Sequence, residues 1–96
     1  MTAKPTAAAV PLIDLRGKLP SEVDVVLAQH GIRWNNHWEP VGMSTCIDST
    51  DDDKLAKQWV RRLRKRMTEC DRKEPGIRWL GIALYSFGVS AYAAKP

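Results

Sequence analysis

The sequence is poor in the features that mark secreted, metal-binding or catalytic small proteins. It has two cysteines, Cys46 and Cys70, in 96 residues. Small disulfide-stapled domains normally carry four, six or eight. One bridge is feasible in principle, but two reduced thiols in a cytoplasmic protein is the simpler expectation. The first ten residues hold one lysine and an alanine cluster, with no apolar core of the kind an export signal needs. The longest uncharged stretch, Trp79 to Ala94, is broken by Gly81, Ser86, Gly88 and Ser90. It falls short of the ~20 apolar residues that cross a bilayer, so no membrane span is expected.

Metal and catalytic motifs are missing as well. His30, His37, Cys46 and Cys70 are separated by 7, 9 and 24 positions, which provides no Cys-x-x-Cys or closely spaced His pair to clip a tetrahedral ion. The run Asp48 to Asp53 has the acids of a calcium loop but neither glycine at its sixth position nor glutamate at its twelfth, where Trp59 stands. Glycine-rich phosphate loops and nucleophile elbows are absent. Cys46 with His30 or His37 is the one nucleophile–base pairing available, and no neighbouring residue lowers the thiol pKa. The expectation is therefore a non-enzymatic protein with no metal and no cofactor.

What remains is a single domain of ordinary globular composition, 44% hydrophobic and 27% charged. Residues 1–9 contain no large apolar side chain after Met1 and read as a tail; residues 10–96 read as one α+β domain. Val10 to Arg16 has the composition of a short strand, with Pro11 tolerable near its start. Pro20-Ser21-Glu22 opens a helix, with Ser21 as the capping candidate, Val23, Val26 and Leu27 as its apolar stripe, and Gly31 as its end. From Ile32 the period becomes two, with Ile32, Trp34, Asn36 and Trp38 on one face. After Pro40 the alternation resumes on Val41, Met43, Thr45 and Ile47, which reads as a hairpin turning near Glu39-Pro40.

Ser49 to Glu74 is the clearest element. Ser49 or Thr50 caps it, Asp51 to Asp53 fill its first turn, and Glu74-Pro75-Gly76 stops it. Leu55, Trp59, Leu63, Met67 and Cys70 form one apolar stripe. After Gly76 the segment to Val89 is apolar on both alternating faces; it reads as a buried strand or a hairpin broken near Ser86-Phe87-Gly88, with a buried helix as the rival. Gly-Ile-Arg-Trp occurs twice, at 31–34 and 76–79, each time after a helix, where glycine would close the helix and isoleucine and tryptophan would face the core. The resulting order is βαββαβ: two helices packed on an antiparallel sheet, a ferredoxin-like arrangement. That order places the apolar last strand at a sheet edge, a position that invites a homodimer.

The functional signal is charge. Fifteen Lys and Arg outnumber 11 Asp and Glu, and nine of the cations lie between Lys54 and Lys73, including Arg61 to Arg66 with five cations in six positions. At about 100° per residue, the apolar stripe falls on one side of the helix. Lys54, Lys57, Arg61, Arg64, Lys65 and Arg72 fall opposite, and Arg62 lies at the rim. A solvated helix normally intersperses acids at i±4, yet none occurs between Lys54 and Thr68. Lys54, Lys57, Arg61, Arg62, Arg64, Lys65 and Arg72 are therefore the candidate residues for contact with an anionic partner, DNA or RNA first. Trp34 and Trp38 are candidate aromatic contacts, although tryptophans in small domains more often pack in the core. The rival class is a protein-binding module or inhibitor, a form that phages and mobile elements also encode, docking on an acidic partner surface or through the apolar C-terminal strand.

Overall fold

A computed structural model describes residues 9–44 and 53–95. Its elements run β1 (Leu12–Asp14), α1 (Pro20–Gln29), β2 (His37–Ser44), α2 (Asp53–Lys73), β3 (Trp79–Tyr85) and β4 (Gly88–Ala94). The four strands make one mixed sheet in the order β1-β3-β4-β2. β1 is parallel to β3, while β4 is antiparallel to both β3 and β2. The protein is a small α+β domain with two helices and one sheet, as its composition and periodicities predict, but the order is βαβαββ and the hairpin follows α2 instead of preceding it.

The C-terminal segment explains the difference. Ile82 and Leu84 of β3 with Val89 and Ala91 of β4 point into a core completed by Ala56, Trp59, Leu63 and Met67 of α2. The alternating residues Ala83 and Tyr92 join Ile13, Leu15, Leu27 and Ile32 in a second core beneath α1. Strands apolar on both faces need a cover on each side, so α1 and α2 lie on opposite faces and not together on one. Connectivity agrees. The chain crosses the sheet from edge to edge between β1 and β2 and returns between β2 and β3. A common handedness for two opposite crossings places their helices on opposite faces. β3 and β4 are thus the two central strands, and the apolar last strand is enclosed within the chain. The edge placement that favoured a homodimer, or docking through this strand, does not occur.

β2 accounts for the other correction. Residues 34–36 form a turn and the strand begins at His37. The pairing with β4 shifts register between Trp38 and Val41. A bulge at Glu39-Pro40 inserts the extra residue, so Trp38, Val41 and Met43 all stand on the α2 side. The change of parity at Pro40 marks this bulge, not a hairpin turn. Proline fits there because β2 is an edge strand and a bulged position makes no ladder bond.

α1 starts one residue earlier than its expected cap. Leu19 is the N-cap with no side-chain hydrogen bond, and Pro20 occupies the first helical position, where a missing N–H costs nothing. Ser21 lies inside the first turn. Its far end is closed by Gly31 at φ 76°, with the Gly31 N–H donating to Ala28 O at 3.0 Å and the Ile32 N–H to Leu27 O at 2.9 Å. This paired arrangement needs a left-handed residue, and glycine adopts it without strain. The two Gly-Ile-Arg-Trp copies diverge at tryptophan. Ile32 and Ile77 are both buried, but Trp34 is 87% exposed whereas Trp79 is half-buried and donates its indole N–H to Asp71 Oδ1 at 3.1 Å. Cys46, Thr45, Ile47, the capping pair Ser49 and Thr50, Asp51, Asp52 and the tail through residue 8 lie outside the described residues.

Candidate anion-binding surface

α2 buries Ala56, Trp59, Leu63 and Met67 against the sheet. Its outward face follows from the same periodicity. Lys54, Lys57, Arg61, Arg62, Lys65 and Arg72 are exposed, and at 1.5 Å per residue the strip they form is about 27 Å long. Among the described residues, Lys57, Arg61, Arg62, Lys65 and Arg72 make no ion pair. Their like charges repel one another.

Arg64 departs from the expectation for its face. It sits next to Val60 at the border of the apolar stripe and is partly buried. Its Nη1 donates to the Val10 carbonyl at 3.0 Å, and burial lowers its pKa from the usual arginine value. Arg64 therefore ties the segment before β1 to α2 and stands at the margin of the exposed cationic strip. Arg66, which falls inside the apolar sector, reaches the opposite way to donate to Gly42 O on β2 at 3.3 Å. The aliphatic stem covers the core edge while the head remains exposed.

The start of α2 is fastened electrostatically. Arg16 bridges Asp14 at 2.8 Å and Asp53 at 3.0 Å, joining β1 to the first turn of the helix. The guanidinium, chiefly through its hydrogen bond, holds the Asp14 carboxyl below its usual value of 3.8. Beside this clamp a cleft of about 380 Å³ opens between β1 and α2, floored by Leu12, Ala56, Val60 and Leu84, with Lys57, Arg61 and Arg64 along one wall.

At the other end of α2, four chain segments meet: the last turn of the helix and the ends of β2, β3 and β4 that carry His37, Trp79 and Ala94. Trp38 stands here, 38% exposed. A cleft of about 440 Å³ runs between its indole and the Glu74–Arg78 turn, with Lys95 on its border. A smaller one separates it from Cys70 and Lys73. The turn carrying Trp34 is fixed to the same end, because the Lys95 N–H donates to Asn36 O at 3.2 Å. The two tryptophans proposed from sequence are thus both accessible and both at this end.

The histidines are committed locally. His30 donates from Nδ1 to Val26 O at 3.1 Å, His37 donates from Nδ1 to Arg33 O, and the His37 ring meets Tyr92 edge-on at 5.0 Å. Among the described residues no group of three His, Cys, Asp or Glu side chains converges on one point, and no helix is long and apolar enough to cross a membrane. In comparisons with protein-family models, with curated proteins and with solved structures, the chain matches none.

Proposed function

We propose that this protein is a small, non-catalytic, cytoplasmic nucleic-acid-binding protein that holds the phosphate backbone along the outer face of α2. One observation carries the reading: an exposed strip of Lys54, Lys57, Arg61, Arg62, Lys65 and Arg72 along a helix with no acid between Lys54 and Thr68. Arginine's planar fork suits phosphate oxygens, and each neutralised phosphate releases a counterion. Gln58 and Arg61 are the side chains on this face suited to reading base edges, but a continuous strip of like charge favours phosphate contact. The surface thus fits backbone contact with weak sequence preference.

The test is a salt series with fluorescent DNA and RNA, comparing the wild type with a variant in which Lys57, Arg61 and Lys65 become Gln. The expected result is steep salt dependence in the wild type, with the log–log slope falling by roughly 0.7–0.9 per lost phosphate contact in the variant. An absence of binding at about 50 mM salt overturns the reading. The same cations would then point to an acidic protein surface, where alanine scanning finds a few dominant side chains instead of a uniform loss.

A further inference from the structure

Resting on that reading of α2, we propose that the end of the molecule around Trp38 takes one unpaired base of a single-stranded nucleic acid, whose backbone continues along the α2 strip. Three observations support this. Trp38 is 38% exposed, and it borders both clefts at the helix end. Those clefts carry Lys73, Arg78 and Lys95 against the single acid Glu74. The larger, about 440 Å³, lies within the ~300–1,000 Å³ range of small-ligand sites.

The strand form follows from the geometry of stacking. Bases within a duplex already stack on each other and present only their edges in the grooves. An indole recessed between a helix end and a sheet edge cannot reach them there. An unpaired base offers its whole face, and a tryptophan platform accepts any base, consistent with the weak sequence preference of a phosphate-holding strip. The exposed ring of Trp34, on the turn held by Lys95, provides a second platform for a neighbouring nucleotide.

Fluorescence anisotropy with a labelled 12-residue oligothymidylate and a hairpin duplex of equal charge tests the idea. The variants are Trp38→Leu, Trp38→Phe and the Lys57, Arg61 and Lys65 triple Gln variant, each checked for native circular dichroism. Oligothymidylate should bind the wild type more tightly than the hairpin. Trp38→Leu should weaken it roughly ten-fold, Trp38→Phe less, and neither should change duplex binding, in keeping with the size of base–aromatic stacking. Equal affinity of wild type and Trp38→Leu for oligothymidylate overturns the inference while leaving the α2 reading standing, as does a wild-type preference for the hairpin. Should Trp38→Leu not fold, retention of full affinity by Trp38→Phe together with unchanged tryptophan fluorescence on oligothymidylate binding overturns it equally. Failure of both oligonucleotides to bind at low salt removes the parent reading, and this inference with it.

Discussion

The Arg64 guanidinium donates to the Val10 carbonyl at 3.0 Å, joining residues 54 positions apart. Its neighbours on the helix, Arg61 and Lys65, face outward. Replacing Arg64 with Ala should therefore lower stability by about 1–2 kcal/mol, through the lost hydrogen bond and the lost packing of its stem. Arg61→Ala and Lys65→Ala should each stay within about 0.5 kcal/mol of the wild type. Urea denaturation of the three variants checks this, and equal effects would place Arg64 back among the solvated cations.

A second contact ties the end of α2 to β3. Asp71 accepts the Trp79 indole N–H at 3.1 Å and 3.2 Å from its two carboxylate oxygens. Asp71→Leu leaves that half-buried donor without its acceptor and should cost about 1–3 kcal/mol. Asp71→Asn keeps an acceptor oxygen and should cost less. Tryptophan fluorescence during denaturation reports both.

The Arg16 clamp makes a prediction about acid. Asp14 titrates below its ordinary 3.8 in the folded protein. The stability it contributes is therefore fully present above that value and is lost as pH falls through the lower folded value. Denaturation midpoints measured from neutral pH down to about 2 should fall further for the wild type than for Asp14→Asn. The wild type should be the more stable of the two at neutral pH, and that gap should close only below pH ~4. Parallel curves would show that the clamp adds nothing, as many exposed ion pairs do.

Gly81 reports how closely the second core packs against β3. A β-carbon built there lies 2.8 Å from Ile13 Cδ1 and 3.5 Å from Ile32 Cδ1. Ala is tolerable if Ile13 changes rotamer, whereas Val must displace the second core and should cost at least about 1–3 kcal/mol. Thermal melts of Gly81→Ala and Gly81→Val should separate clearly.

Residue periodicity carried some of these features and not others. The stripe of Trp59, Leu63 and Met67 was legible because a helix burying one face repeats that choice at every turn. The closing glycines were legible because their backbone conformation is local. The bulge in β2 was not, since a switch of parity at Pro40 is written identically by a bulge and by a turn. Strand order is a property of the whole chain. The apolar character of both faces of the last segment carried that information, but it becomes decisive only once a helix is required on each side. Arg64 is a related case: a helical wheel places it among the cations, while its bond to the Val10 carbonyl depends on the fold. Trp34 and Trp38 were legible as aromatics on one strand, yet their shared end of the molecule arises from the turn at residues 34–36 and the bulge after Trp38.

The sheet order also has a kinetic meaning. β3 and β4 adjoin in sequence through the Ser86-Phe87 turn, and α2 precedes them directly. These three can assemble through short loops and form early. β2 must wait, because its hydrogen-bonded neighbour is β4, with His37 opposite Ala94, and closing so long a loop carries a larger entropic cost. The cationic strip therefore belongs to the part of the chain that assembles first. Trp38 arrives with the late strand, so the strip is in place before the tryptophan end of the molecule is built.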